Sequence, residues 1–505
     1  MKKKFLVSLL VVAVLLGLYW GLGGLDAAHP APPDLDTGDT PAAVSDDNNW
    51  CLALAAATNL VSLSEDEWNF VLQARMRSTS WWTRVMPPVA DEAEAWDRID
   101  GILARHDGLF AHLAAHAHCT GWQYPPSAFE SPETPFLVRS GFTLSSTVVS
   151  LFDLKIERAV AHDDLAAALR DLFTLESLSA AAHKGAINLA YWCYHKAVWN
   201  RACGRVLTRV ADLDAAQLEL LQELVDSAAR DVEVSGAQAY ARGVQQLEAR
   251  WNWFFRRDGF AVLMAQLTKL GDLAAKALHE VAERNRQMLD PKAERTVAAQ
   301  PAAPAKDPSA RPPVSRFSFH FNRSLAAVYE ESCATHACLL RGHYDMSLRA
   351  LDERLQEPEG WLRYVSPLLP NAVGRQAVRT ARKERVTSCT MQAKEMFSLA
   401  AARVIVAANR FRRTTGAYPL ALEELVPDYL PAVPQDPFGD GPIGYNVQQR
   451  TLHSVGEAGS FDGVLPPNGV RGLYYIDKAG VRHWQNWAIR RLDGRPLKES
   501  HPPNP

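Results

Sequence analysis

The densest group of potential metal ligands in the sequence is HLAAHAHC, from His112 to Cys119. On a continuous helix, His112, His116 and Cys119 would share one face, because residues three and four positions apart are neighbours there. Imidazole and thiolate groups suit zinc, so these three residues could approach one zinc ion, although the sequence locates neither a fourth ligand nor an open position. Histidines at this spacing also occur on ordinary half-buried faces of alanine-rich helices, and that interpretation is favoured. We therefore assign the chain no metal ligand, no catalytic residue and no cofactor.

Two aromatic segments are candidates for binding surfaces: YWCYHKAVW at residues 191–199 and RWNWFFRR at residues 250–257. Helical spacing divides the first segment into two apolar stripes, which is typical of a helix buried on two sides. The second segment has the better claim to a partner surface, because aromatic residues and arginine are enriched at binding hot spots. The sequence contains no Gly-x-Ser-x-Gly, phosphate-binding glycine loop, His-Glu-x-x-His or Cys-x-x-Cys motif, which argues against the common enzyme classes.

The amino terminus predicts a membrane anchor. Lysines at positions 2 to 4 precede an uncharged run from Phe5 to Leu25, which as a helix can span about 30 Å of hydrocarbon. The lysines favour a cytoplasmic amino terminus, so residues 26–505 are expected outside the cytoplasm. A cleaved signal peptide is the alternative, but the apolar run is longer than usual and no Ala-x-Ala site follows it directly. An uncleaved single-pass anchor is favoured.

Composition limits the other classes. The 505 residues are enough for several cores, and the net charge of -3 gives no broad attraction to nucleic acid. Seven cysteines would allow at most three disulfides in an oxidising compartment. The close pairs, Cys333 with Cys338 and Cys193 with Cys203, would each need an intervening turn. The pairing is left open, and small buried core residues are the favoured interpretation of the cysteines.

Between two proline-rich stretches the pattern is helical and shows no fixed repeat, which indicates an irregular bundle or array. The best-specified helix spans Asp214 to Val225, where Asp214 and Gln217 form a capping box ahead of an apolar face. The predicted organisation is a transmembrane anchor (1–25), a flexible linker (26–47), a helical domain (48–288), a Pro/Ala-rich linker (289–315), a helical segment (316–389), an α+β module (390–490) and a tail (491–505).

The α+β module follows from a change of pattern near Gly416. A helical stripe from about Arg375 to Arg413 meets Gly416, which suits a left-handed cap, and Pro419, which forbids continuation. The runs IGYNV, TLHSV, LYYID and VRHWQNWAI then alternate with turn residues. Such short apolar runs predict a small antiparallel sheet.

Residues 401–463 carry a resemblance to a known family. They include TTGAYPLALEELVPDYLP, QDPFGDGPIGYN and SVGEAGSFDG, and they resemble the soluble half of type II secretion pseudopilins and related pilin-like modules. The upstream body loosely resembles large uncharacterised, membrane-anchored helical proteins of environmental bacteria. The resemblance implies a pilin-like fold for the module. Together with the predicted anchor, it leads us to expect the chain in the bacterial inner membrane, with its bulk in the periplasm.

Two departures from the family pattern limit what carries over. Pilin subunits need a Gly-Phe-Thr-Leu-x-Glu processing site before their apolar helix, whereas this chain begins Lys-Lys-Lys-Phe-Leu, and the GFTLSS at residues 141–146 is internal and lacks the glutamate. Some pseudopilins hold calcium in the loop matching SVGEAGSFDG, where Glu457 and Asp462 could act as ligands. The family's Ala-Asp-Gly reads Glu-Ala-Gly here, so two solvated acidic residues are favoured and polymerisation as a pseudopilin is not expected.

The sequence thus predicts a mainly α protein: an irregular helical bundle or array after one transmembrane helix, closed by a small α+β pilin-like module. We expect a non-catalytic interaction or scaffold protein of the envelope or secretion apparatus, without nucleic acid. Its expected partners are the inner membrane, through the N-terminal helix, and an envelope or secretion-system protein. The alternative is an extracytoplasmic metal-dependent hydrolase using His112, His116 and Cys119, and a third hypothesis is a lipid- or peptidoglycan-binding protein.

Overall fold

The structure, a computed structural model, is mainly helical with a few short strands, which confirms the predicted fold class at that level. The predicted anchor at residues 1–25 and the Pro/Ala-rich linker at 289–315 lie outside the described residues. The structure describes residues 28–36, 44–68, 70–71, 92–123, 142–184, 189–245, 247, 321–345, 347–356, 372–456, 474–476, 482–484 and 490–492.

Besides helical residues at 65–68, 70–71 and 247, ten α-helices lie in this part of the chain, and none of its helices is both long enough and apolar enough to cross a membrane. Four short 3-10 turns accompany them, at Asp46–Asn48, Ala57–Leu60, Val210–Asp212 and Leu422–Leu425. The helices are α1 (Trp50–Ala56), α2 (Glu92–Arg105), α3 (Asp107–Ala115), α4 (Phe142–Ala161), α5 (Leu165–Lys184), α6 (Leu189–Leu207), α7 (Ala215–Gln245), α8 (Phe321–Arg341), α9 (Ser347–Gln356) and α10 (Ala372–Thr415).

The chain divides into two compact units. One comprises Met1–Pro32, Val244–Val328 and Pro358–Val378, and its described part is limited to short segments that include the beginnings of α8 and α10. The other comprises Pro33–Gly243, Tyr329–Glu357 and Arg379–Pro505. The second unit holds most of the described helices and all of the described strands, and the site described below lies within it.

Helices α4, α5 and α6 pack against one another and form the centre of the helical body. Helix α4 was not predicted, because nearly all its described residues from Ser146 to Ile156 are buried and the apolar positions therefore show no one-sided period. Its buried residues include Val148, Leu151 and Phe152. A helix buried all round is the physical reason that the sequence pattern gave no clear signal here.

Helix α7 begins as predicted and continues further than predicted. The Gln217 backbone N–H donates to the Asp214 carboxylate at 2.8 Å, and the Asp214 N–H donates to the Gln217 side chain at 2.9 Å. This reciprocal capping box satisfies two N–H groups that the first turn would otherwise leave unpaired. The helix runs past Val225 to Gln245, because buried residues such as Ala228 and Val232 continue its apolar stripe.

The carboxyl-terminal α+β segment begins where α10 ends. Gly416 adopts φ +82°, and its N–H donates to the Arg412 carbonyl at 2.8 Å, which confirms the predicted left-handed cap. The strands beyond it are antiparallel, as predicted, but the described ones form two sheets instead of one, in the orders β1-β2-β5 and β3-β4. The strands are β1 (Gly444–Asn446), β2 (Thr451–His453), β3 (Tyr474–Ile476), β4 (Arg482–Trp484) and β5 (Arg490–Arg491).

Candidate functional site

The strongest concentration of ionisable side chains lies inside the helical body, where four helices each contribute at least one group. Sequence reasoning did not identify it as a site. Helices α5 and α6 contribute two residues each, and α7 and α10 contribute one each. We call it the buried ion cluster, and its members are Glu176, His183, His195, Lys196, Asp231 and Glu395.

Asp231 on α7 joins the two neighbouring helices. Its carboxylate oxygen Oδ2 bonds to Nδ1 of His183 on α5, and the same oxygen lies 3.6 Å from Nζ of Lys196 on α6. Lys196 also donates to the Ala228 carbonyl at 3.2 Å, and its ammonium group lies 5.7 Å from the centre of the Trp199 ring. One carboxylate therefore offsets the charge of a lysine whose side chain is wholly buried.

Both histidines of the cluster are held in the neutral form. Burial lowers the pKa of His183, and the carboxylate of Asp231 opposes this effect. Burial lowers the pKa of His195 to about 3, and the neighbouring His183, at a ring-centre distance of 6.5 Å, lowers it further. At neutral pH these imidazoles carry no charge, so they can donate or accept hydrogen bonds without the cost of a buried cation.

The two glutamates of the cluster show the opposite shift. Burial raises the pKa of Glu176 to about 8, and the negative charge of Asp231 acts in the same direction. The positive charge of Lys196 opposes this rise. Burial also raises the pKa of Glu395 to about 7. Nearby cations oppose this rise, and the charge of Lys196 has the largest effect among them. Glu176 is therefore mostly protonated at neutral pH, whereas Glu395 is poised to gain or lose a proton.

A second set of charges lies between α6 and α4. Asp153, on α4 and fully buried, lies 3.5 Å from the Arg201 guanidinium and 3.4 Å from that of Arg205. Arg205 also donates to the backbone carbonyl of Asp153 at 2.8 Å and pairs with Glu157 at 2.5 Å. Burial raises the pKa of Glu157, and Arg205 opposes that rise. Helix α6 is thus tied to α4 by arginines and to α7 by Lys196.

The buried ion cluster contains groups that hold and release protons, and a His–Asp pair of this kind can orient an imidazole as a general base. A general base must reach the proton that it removes from a substrate. The side chains of His183 and Lys196 have no exposed surface, and His195 is equally enclosed. The arrangement is therefore better suited to holding the helices together than to reacting with a substrate.

The structure brings two of the three candidate zinc ligands together, His112 and His116, whose ring centres are 4.4 Å apart, but Cys119 does not join them on one helical face. Helix α3 ends at Ala115, so Cys119 lies beyond the helix and the three residues do not share one helical face. His112 Nε2 bonds to the Ala53 carbonyl at 3.0 Å, His116 Nδ1 to the His112 carbonyl at 2.7 Å, and the Cys119 thiol to the Asp47 carbonyl at 3.4 Å. Within the described ranges, no group of three or more acidic, histidine or cysteine side chains is placed to hold a metal ion.

The other sequence candidates have mixed outcomes. In the first aromatic segment Val198 and Trp199 are fully buried, which confirms core packing for its described side chains. The second segment, at residues 250–257, and the loop residues Glu457 and Asp462, for which the sequence favours solvated side chains over calcium ligands, lie outside the described residues. Residues 142–146 of the GFTLSS match lie at the start of α4, a helix of the packed body.

The QDPFGDG loop places a single carboxylate at the centre of the carboxyl-terminal segment. Asp436, almost fully buried, accepts hydrogen bonds from the Phe438 N–H at 3.0 Å, the Ser454 hydroxyl at 2.8 Å and the Val455 N–H at 2.8 Å. These bonds join the loop to the residues that follow β2. Asp436 therefore has a structural role, since its carboxylate is already occupied by protein donors.

One signal in the sequence could have revealed the buried ion cluster. Glu176, Ser179 and His183 recur at steps of three and four along α5, on a face that also carries Leu172 and Leu175. Polar residues in an apolar stripe need partners when buried, so this spacing indicates a polar contact between helices. The partners themselves come from α6, α7 and α10, and no local pattern connects those segments.

Comparison with known proteins found no matching family model, curated protein or solved structure.

Proposed function

We propose that this chain is a membrane-anchored, extracytoplasmic interaction or scaffold protein of the bacterial envelope or secretion apparatus, and that it does not catalyse a reaction. The observation that carries the proposal lies at the start of the carboxyl-terminal segment, just after the end of α10. There a large apolar side chain, Leu420, is 72% exposed on a turn whose backbone is held from both sides. The predicted anchor and the pseudopilin resemblance supply the location and the class of partner.

The backbone around Leu420 is braced by two hydrogen bonds. The Tyr445 hydroxyl on β1 donates to the Pro419 carbonyl at 2.9 Å, and the Leu420 N–H donates to the Glu424 carboxylate at 3.2 Å. Apolar side chains exposed singly are common on protein surfaces. Leu420 differs from such side chains because its backbone is already fixed by hydrogen bonds. Little backbone entropy is therefore lost when a partner covers it.

The segment that carries this turn is joined firmly to α10. Asn409 donates to the Leu492 carbonyl at 2.6 Å and accepts from the Tyr418 hydroxyl at 3.1 Å. Phe411 packs edge-to-face against Tyr429 at a ring-centre distance of 5.7 Å. A long helix ending in a loop and antiparallel strands is also the arrangement that the pseudopilin resemblance implies, and this agreement supports a docking role for the segment.

The surface around Leu420 indicates the chemistry of the partner. Glu423 and Glu424 are exposed in the following 3-10 turn, and the Glu424 carboxylate accepts the Leu420 N–H, so the surface near Leu420 is acidic. A complementary partner would offer an apolar pocket with a basic rim. We propose that this partner is an envelope or secretion-system protein.

Two features argue against catalysis as the main activity. The histidines and the lysine of the buried ion cluster have no exposed surface, and the residues of the hydrolase alternative, His112, His116 and Cys119, bond instead to backbone carbonyls. The lipid- or peptidoglycan-binding hypothesis remains a separate prediction, and it would be supported by sedimentation of the protein with those materials after removal of residues 1–25.

The test is photocrosslinking in cells from a photoreactive amino acid at position 423, with and without Leu420→Asp. We expect a crosslink to an identified envelope or secretion-system protein, and we expect Leu420→Asp to reduce it at least about tenfold because a carboxylate cannot enter an apolar pocket. The matched control is Phe173→Asp, which changes another exposed apolar residue, on α5. The proposal is overturned if position 423 captures no such protein while the circular dichroism is unchanged, or if both variants weaken the crosslink equally.

A further inference from the structure

Two cysteines that lie far apart in the sequence face each other between α8 and α10. Cys338, near the end of α8, is half-buried, and Cys389, in the middle of α10, is buried. Their thiols are in hydrogen-bonding contact. The close cysteine pairs considered in the sequence did not include this one, because its members belong to helices separated by α9 and by residues outside the described ranges.

The contacts around the pair show that the two helices lie side by side there in nearly the same register. Before the cysteines, Glu331 on α8 pairs with Arg382 at 2.7 Å and with Arg385 at 3.2 Å. After them, Gln392 on α10 donates to the Leu339 carbonyl at 3.0 Å. The first of these pairs is separated by 51 residues and the last by 53, so the helices run in the same direction and place Cys338 opposite Cys389.

We infer that Cys338 and Cys389 form a reversible disulfide that clamps α8 to α10 when the protein meets a disulfide oxidant. The inference rests on the facing thiols and on the register of the two helices, and it does not depend on the proposed docking function. Cys333 on α8 is exposed but points away from this contact, since it lies five residues before Cys338 on the same helix.

The two cysteines have different environments, and we therefore assign them different steps in the formation of the disulfide. The thiol of Cys389 donates to Cys338 and lowers the pKa of Cys338, and Arg341 and Arg385 act in the same direction while burial and Asp345 oppose it. The same hydrogen bond and burial raise the pKa of Cys389. Cys338 is therefore the thiolate that an oxidant meets first, because it is both more accessible and more readily ionised.

The reaction balances as an ordinary thiol–disulfide exchange. The Cys338 thiolate attacks one sulfur of a small-molecule or protein disulfide, forms a mixed disulfide and releases one thiolate. The Cys389 thiolate then attacks the Cys338 sulfur, closes the internal bond and releases the second thiolate. The protons lost by Cys338 and Cys389 pass to the two released thiolates, so the protein is oxidised by two electrons and the oxidant is reduced to two thiols.

The clamp would act at the base of the carboxyl-terminal segment. Helix α10 leads directly into that segment, and the residues after α8 contact it, because the Tyr344 N–H donates to the Pro437 carbonyl at 2.7 Å and the Tyr344 ring packs on Phe438. A covalent bond between α8 and α10 therefore fixes two elements that both hold the segment. This region should therefore be more stable in the oxidised protein than in the reduced protein.

The test exposes the folded, full-length protein in detergent to buffers of oxidised and reduced glutathione and identifies linked peptides by mass spectrometry without reduction. We expect a Cys338–Cys389 peptide in the wild type and in Cys333→Ser, none in Cys338→Ser, and a glutathione adduct held on Cys338 in Cys389→Ser. Oxidation should raise the wild-type Tm by at least about 5 °C, since the bond closes a long loop.

The wild type alone decides the proposal if a variant fails to fold. If the native wild type gives no linked peptide, or if Cys333 replaces Cys338 in it, the assignment is overturned. Absence of an adduct in a folded Cys389→Ser variant would overturn the order of the two steps. None of these results bears on the Leu420 surface, so failure of this inference is distinguishable from failure of the proposed function.

Discussion

Glu176 shows how a single side chain can set the pH dependence of the helical body. Its carboxyl group is enclosed at the contact of α5 with the groups on α6 and α7, and burial raises its pKa to about 8. A carboxylate with a raised pKa favours the folded state in its protonated form. The folded protein is therefore expected to lose this contribution as the pH rises from the unfolded-state pKa of about 4.5 through about 8.

We expect Glu176→Gln to remove this loss, because glutamine keeps the shape of the protonated carboxyl group and does not ionise. The variant should match the wild type near pH 4.5 and exceed it at pH 9 by on the order of 2 kcal/mol in the free energy of unfolding. Urea unfolding at both pH values measures the difference. Glu219→Gln, on the exposed surface of α7, is the control and should show no such pH-dependent gain. Equal stability of Glu176→Gln and wild type at pH 9 would contradict the assigned pKa.

His195 acts in the opposite direction at lower pH. Its pKa is lowered to about 3 by burial, so the neutral imidazole favours the folded state. This contribution is fully present above the unfolded-state pKa of about 6.5 and is lost as the pH falls from there through about 3. The contribution of Glu176 is lost as the pH rises and that of His195 as the pH falls. The combined contribution of the two groups to folding stability is therefore greatest in the mildly acidic range.

At the scale of elements, the end of α10 depends on one glycine. Gly416 has φ +82°, a region that other residues enter only with strain, and it separates the helix from the turn that carries Leu420. A methyl group placed on Gly416 would contact nothing within 4 Å. The cost of replacing this glycine is therefore conformational and does not arise from crowding.

We expect Gly416→Ala to lower the free energy of unfolding by about 1 kcal/mol. The matched comparison is Gly204→Ala, because Gly204 lies within α6 and its added methyl group would also contact nothing within 4 Å. That substitution should instead raise stability by up to about 1 kcal/mol, since alanine favours a helix interior. Thermal unfolding of the two variants compares them, and the same sign for both would contradict the left-handed cap.

At the scale of the whole molecule, the predicted topology places every described residue on one side of a membrane. That prediction depends on the lysines at positions 2 to 4 and the apolar run that follows them. The structure adds a usable reporter, because Cys333 is exposed on α8. A thiol reagent that cannot cross membranes can therefore determine on which side the helical body lies.

We expect such a reagent to modify Cys333 in spheroplasts without detergent, because residues 26–505 are predicted to lie outside the cytoplasm. Mass spectrometry of the labelled peptide measures the modification, and Cys333→Ser is the control for labelling of other cysteines. Removal of residues 2–25 should move the protein from the membrane to the soluble fraction. Labelling that occurs only after lysis would contradict the predicted orientation.

The sequence by itself determined the features that depend on local order along the chain. The capping box at Asp214, the end of α10 at Gly416 and the strand runs after it were all predictable, because caps, turns and short apolar runs are set by residues within a few positions of one another. The mainly helical class followed from the same local periodicity. The anchor was likewise predicted from residues 1–25 and stays a prediction.

Only the tertiary structure decided which side chains meet. The shared face proposed for His112, His116 and Cys119 failed because α3 ends at Ala115, a boundary that the histidine spacing did not reveal. The buried ion cluster and the Cys338–Cys389 pair join helices that are distant in the sequence. Their partners are selected by packing and burial, and burial also shifts their pKa values, so no local pattern contains this information.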